Sequence, residues 1–162
     1  MTTRTMPTTY TEGQGGLLGR VLGTEGDWGA TVARVALGAV MLPHGAQKLL
    51  GWFGGYGFQA TMGFLTTQVG LPYPIALLVI LIESLRSLAL VIGLAGRVMA
   101  AGVAAVMVGA VVTTHLPNGF FMNWAGTQKG EGFEYHILAL ALALVVMLRG
   151  SGAASVDRAL SA

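Results

Sequence analysis

Four long apolar stretches, each close to the roughly 20 residues a helix needs to cross a lipid bilayer, occupy most of this chain and leave it few ways to fold. They run from about Trp28 to Leu50, Tyr73 to Leu94, Arg97 to Leu116 and Phe133 to Leu148. With 54% hydrophobic residues, 10% charged residues and a mean hydropathy of +0.69, the chain is too apolar for water to solvate a domain of 162 residues. The expectation is an all-α membrane four-helix bundle filling residues 28–149, between a polar N-terminal tail, 1–27, and a C-terminal tail, 150–162. No length remains for a second domain.

The rest of the composition removes several function classes. Nine Lys and Arg residues give a net charge of +2 and a pI near 9.3, but they are scattered singly, without the basic run that nucleic acid calls for. The absence of cysteine excludes dithiol relays, thiolate zinc sites and iron–sulfur ligation by this chain alone. Residues 1–27 are rich in Thr and Gly and carry Arg4, Glu12, Arg20, Glu25 and Asp27. They lack an apolar core near the start, so they read as a flexible tail and a short surface helix near Leu17–Leu22, not as a signal peptide.

Between the second and third stretches only Ala95-Gly96-Arg97 intervenes, which predicts a tight antiparallel hairpin turning at Gly96. Arg4, Arg20, Arg97, Arg149 and Arg158 flank one side against Lys48 and Lys129 on the other, placing both termini in the cytoplasm. The outer loop from Gly51 to Leu71 has Phe58, Met62, Leu65 and Val69 at helical spacing, which predicts a short amphipathic helix lying in the interface. Trp52, Phe53, Tyr56, Phe120, Phe121 and Trp124 fall at the same outer boundary, where amphipathic rings settle or roof a pocket. In the third stretch Ala101, Ala105 and Gly109 recur every four residues, a pattern that lets a neighbouring helix approach closely.

Three charged residues fall at hydrocarbon depth: Arg34, Glu83 and Arg86. An ionised group there costs on the order of 2.5–3.5 kcal/mol, so pairing is expected. Glu83 and Arg86 share a helix face, and Arg34 lies at a similar depth, which predicts a buried Arg34–Glu83–Arg86 cluster. Two readings stand: a structural lock between the first two helices, or a site where Glu83 carries a proton or anchors a ligand.

A second constellation gathers at the outer ends. Pro43 leaves the Ala39 carbonyl without its helical partner and is expected to kink the helix before His44. His44, Gln47 and Lys48 share one face, His115 closes the third stretch, and Glu134 and His136 open the fourth. Imidazole and carboxylate suit a metal, but no two of these ligands have the i, i+4 spacing of a helical metal pair, and no metal site is assigned. A quinone-type head group needs an apolar slot, aromatic walls and His or Lys donors, and His44, Lys48, His115 and His136 beside Trp52, Phe53 and Phe121 offer these. The alternative is a hydrogen-bonded cap that ties the loops to the bundle.

Leu42-Pro43-His44-Gly45-Ala46-Gln47-Lys48-Leu49, Gly51-Trp52-Phe53-Gly54-Gly55, His115-Leu116-Pro117-Asn118-Gly119-Phe120-Phe121 and Gly132-Phe133-Glu134-Tyr135 resemble, in order and spacing, the DoxX family of small bacterial membrane proteins. The resemblance covers roughly residues 30–150. It implies a bundle in the cytoplasmic (inner) membrane and an association with membrane oxidoreductases that handle sulfur species or oxidative stress. Carried over by position, the family's polar residues are Arg34, His44, Gln47, Lys48, Glu83, His115, Asn118 and Glu134. The chain departs from the pattern at Glu83-Ser84-Leu85-Arg86-Ser87, where the family has small residues after the glutamate.

Two functions follow. One is a redox subunit helping to pass electrons from a small, sulfur-containing donor to a membrane quinone. In that reading His44, Lys48 and His115 hold the head group, with Gln47, Trp52, Asn118, Phe121 and His136 around it, and Glu83 or Glu134 handles protons. No covalently bound cofactor is expected, so the donor chemistry falls to another membrane subunit. The other function is a non-catalytic accessory or scaffold subunit of a larger membrane complex.

Overall fold

A computed structural model describes residues 16–161. The part of the polar N-terminal tail before residue 16, with Arg4 and Glu12, lies outside the described residues. These contain no strand and form α1 (Leu17–Leu22), α2 (Trp28–Leu50), α3 (Gly57–Gly63), α4 (Tyr73–Ile92), α5 (Gly96–Asn118), α6 (Glu134–Arg149) and α7 (Val156–Ser161).

Local chemistry fixes the helix ends. The Asp27 carboxylate accepts from the Gly29 and Ala30 amides at 2.7 and 3.3 Å and starts α2, which runs through Pro43 as one helix and stops at Gly51 with φ +74°. At the end of α4 the Leu94 amide bonds the Ala89 carbonyl at 2.9 Å and the Gly93 amide the Leu90 carbonyl at 3.1 Å, a Schellman closure around the left-handed Gly93. The hairpin therefore turns at Gly93 and at Ala95, also left-handed at φ +49°, and Gly96, expected at the turn, is the first residue of α5. Gly96 is needed for another reason: a Cβ there would strike the Ser151 hydroxyl.

Three helices loosen into π turns, at Phe64–Gln68 prolonging α3, at Ile82–Arg86 inside α4 and at Val111–His115 near the end of α5. In α4 the Ser84 hydroxyl donates to the Ile80 carbonyl at 2.8 Å and the Ser87 hydroxyl to the Glu83 carbonyl at 2.5 Å, supplying partners where the regular ladder is broken.

The core is formed where α2, α4, α5 and α6 meet, by Leu37, Met41, Leu90, Val103, Met107, Ala143 and Val146. A smaller cluster packs Met62 of α3 against Ala76 and Ile80 of α4, with Phe58 and Leu65 beside it. Phe58, Met62 and Leu65 are three of the four apolar positions expected of the outer-loop helix. α2 lies close on α4: a Cβ at Gly38 would come within 2.9 Å of the Ser87 carbonyl oxygen, and one at Gly45 within 2.6 Å of the Ser84 Cα. α4 and α5 pack together near their hairpin and through Ile82–Arg86, whereas Tyr73–Leu81 diverges from α5.

α4 and α5 are long and apolar enough to cross a membrane. α2 is long enough but carries Arg34, His44, Gln47 and Lys48, and α6 has 16 residues, about 24 Å of helix. Outward-facing Val32, Leu85, Val112 and Leu138 leave apolar surface on all four of these helices.

The segment after α6, expected simply as a tail, is docked. Asp157 is 1% exposed; its carboxylate accepts from the Ala95 and Gly96 amides at 2.7 and 2.9 Å and from the Ser151 hydroxyl at 2.6 Å. Arg97 donates to the Gly23 carbonyl at 3.2 Å and to the Leu148 carbonyl at 2.8 Å at the end of α6. The Gly152 amide donates to the Thr24 hydroxyl at 2.7 Å. The residues before α2, the α4–α5 turn and the residues after α6 thus close one end of the molecule.

Candidate functional site

Where α4 diverges from α5, a cavity of about 510 Å³ opens, backed by α2 and α6 and bordered by the π turn after α3. Its wall is largely apolar, with Leu65, Ile75, Leu78, Ala105 and Gly109 along it. Its polar groups are His44 and Lys48 from α2, Glu83 from α4, Thr113, Thr114 and His115 from α5, Glu131 from the last loop, and Tyr135 and His136 from α6. A slot of this size with a few convergent polar groups is the common form of a small-molecule site.

Glu83 is 4% exposed and forms an ion pair with Lys48, whose four-carbon stem reaches in from the last turn of α2. The π turn at Ile82–Arg86 sets the carboxylate's register, and Gly45, lying against the Glu83 and Ser84 backbone, brings α2 close enough for the pair to form. The Ser84 hydroxyl, 3.1 Å from the Gly45 carbonyl, shares its single proton between that carbonyl and Ile80's, which ties the two helices at this point.

From α2 across α6 to α5 the rings form a chain: those of His44 and Tyr135 lie 5.9 Å apart, those of Tyr135 and His136 5.5 Å, and those of His136 and His115 4.2 Å. Tyr135 donates its hydroxyl to the Met41 sulfur at 3.3 Å. His115 donates from Nδ1 to the Glu131 carbonyl at 2.9 Å. His136 is 5% exposed, and its Nδ1 has no hydrogen-bond partner among the described residues.

The expected Arg34–Glu83–Arg86 cluster does not form. Arg34, 1% exposed, donates instead to the carbonyls of Leu90, Val91 (2.7 Å), Ser151 (2.8 Å) and Ala154 (2.5 Å). The physical reason is direction: the α4 Schellman end and the docked C-terminal segment present carbonyls with spare acceptor capacity toward Arg34, and a guanidinium fork reaches several of them together. Arg86 extends sideways onto Gly102 of α5, where a Cβ would overlap its guanidinium, and has no ion-pair partner among the described residues.

Among the outer-rim candidates, the cavity collects His44, Lys48, His115 and His136, together with Glu83. The others lie outside it. Gln47 donates to the Phe53 carbonyl at 3.2 Å, and Asn118 to the Glu131 carbonyl at 3.1 Å. Glu134 accepts from the Trp124 indole at 3.3 Å. Trp52 and Phe121 are 61% and 68% exposed and do not line it. These five hold or decorate the outer loops. No group of three or more potential metal ligands gathers among the described residues. Tyr135 and Glu131 were not singled out from the sequence, although Tyr135 adjoins His136 and shares a helix face with Ala139 of the core.

Described residues that are helical without a strand, with two spanning-length apolar helices and a largely apolar slot between them, define the class of small membrane proteins. A family model, DoxX, matches residues 29–116, more than half of the chain, and the protein belongs to the DoxX family, whose small membrane proteins are often associated with oxidoreductases. Comparison with curated proteins and with solved structures gives no match.

Proposed function

We propose that the chain is a multi-pass protein of the bacterial inner membrane, a four-helix bundle with both termini cytoplasmic, and a subunit of a quinone-linked oxidoreductase that helps pass electrons from a small, sulfur-containing donor to membrane quinone. The observation that carries this reading is the cavity between α4 and α5, apolar along its length and polar at the His44, Lys48, Glu83, His115 and His136 end. A quinone supplies two-electron, two-proton chemistry there. His44, Lys48, His115 and His136 would hold the head group, Glu83 would keep Lys48 in place and exchange protons, and the apolar wall would exclude water. The unpartnered His136 Nδ1 is a group that such a head would satisfy. With no cysteine in the chain, oxidation of the donor falls to another subunit.

Purification in mild detergent, followed by solvent extraction and chromatography, tests this. The expected result is quinone in a fixed ratio to protein, lost in His44→Ala while the helical circular-dichroism spectrum stays unchanged. A stable larger assembly with no quinone in it overturns the redox reading and leaves the accessory-subunit role.

A further inference from the structure

The polar end of the cavity has a direction to its hydrogen bonding. His115 Nδ1 lies 2.9 Å from the Glu131 carbonyl oxygen. A carbonyl only accepts, so that nitrogen carries the proton and, in the neutral ring, Nε2 is left as an acceptor. His136 stacks beside it at 4.2 Å, buried, with Nδ1 unpartnered among the described residues. A ligand carbonyl offers His115 Nε2 nothing. A hydroxyl supplies the donor that this nitrogen needs.

The charges on the wall narrow the head group further. Lys48 is matched by Glu83, and no other Lys or Arg among the described residues lines the cavity. An anionic head would therefore bring a charge with no free cation to meet it. The tail has to lie along Ile75, Leu78, Ala105 and Gly109, where aliphatic carbon fits.

We propose that the cavity selects an uncharged amphiphile headed by a hydroxyl, phenolic or alcoholic, over the carbonyl-headed counterpart of the same shape. The proposal rests on reading the cavity as an amphiphile site. Within the quinone reading, it means that the dihydroxy form is held in preference to the dione.

The test uses the full chain in dioleoylphosphatidylcholine nanodiscs, with empty nanodiscs as the partition control. Equilibrium dialysis is run with a decyl-substituted benzoquinone and, anaerobically, with the matching hydroquinone. The hydroquinone is expected to bind about tenfold more tightly, the effect of one additional satisfied buried hydrogen bond. The preference should disappear in His115→Phe, which keeps a planar ring and removes the acceptor. Equal binding of the two forms by the unaltered protein, or tighter binding of the quinone, overturns the selection and leaves the amphiphile site standing. Binding of neither overturns the site and the selection together. Displacement of the hydroquinone by dioleoylphosphatidylglycerol, an anionic lipid, overturns the uncharged-head assignment.

Discussion

Lys48 and Glu83 sit at opposite ends of a solvation gradient: the Lys48 side chain is 30% accessible and that of Glu83 6%. Removing the lysine strands a carboxylate in an apolar wall. Lys48→Ala is expected to cost about 2–3 kcal/mol, less than for a wholly buried pair because the lysine keeps some contact with its surroundings. The double variant Lys48→Ala, Glu83→Gln should recover much of that loss, since no charge is left unmatched. Reversible unfolding in a mixed micelle, run as a double-mutant cycle, checks it; additive losses would mean that the two residues do not interact. Glu83→Gln alone leaves the ammonium without its counter-charge and should also destabilise, by a smaller amount, because Lys48 can turn outward.

At the scale of elements, the α2–α4 contact depends on two glycines seven positions apart. Gly45→Ala would push a methyl into the Glu83 and Ser84 backbone, and Gly38→Ala would meet the Ser87 carbonyl and Val91. Each should cost about 1–3 kcal/mol, and Gly45→Ala should also loosen the Lys48–Glu83 pair. Gly109→Ala is the control: a Cβ there meets nothing within 4 Å, so stability should rise slightly or stay level as helix propensity improves. Thermal denaturation of the three variants separates these outcomes. The helices themselves were legible in the sequence, because lipid-length apolar runs ended by Asp27, Gly51 and Gly93 leave little freedom. The π turns were not, since one extra residue per turn has no residue-type signature, and they reset the facing of Glu83 and His115. Pairing by depth alone therefore chose Arg34 for Glu83, whereas Lys48, nominally higher in α2, reaches it with a flexible stem. Histidines at the outer helix ends were legible as a group. Their separation from Gln47, Asn118 and Glu134 depended on loop geometry that local spacing does not encode.

At the scale of the whole molecule, one end is closed by the docked segment after α6 and the other carries the cavity. Asp157→Ala removes the acceptor for two amides and a hydroxyl and should cost about 2–3 kcal/mol. Arg34→Lys should do comparable damage although it keeps the charge, because an ammonium cannot span four carbonyls as a guanidinium does. In both variants limited proteolysis should cut between Gly150 and Ser161 while the long helices stay protected; unchanged cleavage would show that the closure holds without these groups. The closure also has a schedule. The Ala95 and Gly96 amides await a carboxylate 62 and 61 residues downstream, and Arg34 awaits carbonyls 117 and 120 residues ahead of it. At roughly 5–20 residues per second, the α4–α5 turn leaves the ribosome about 3–12 seconds before the group that completes it. A chain ended at Arg149 would keep the long helices and the Arg97 bonds to the Gly23 and Leu148 carbonyls but would lack the Asp157 carboxylate and the Ser151 and Ala154 carbonyls, so the segment after α6 is what completes the fastening of an already inserted chain.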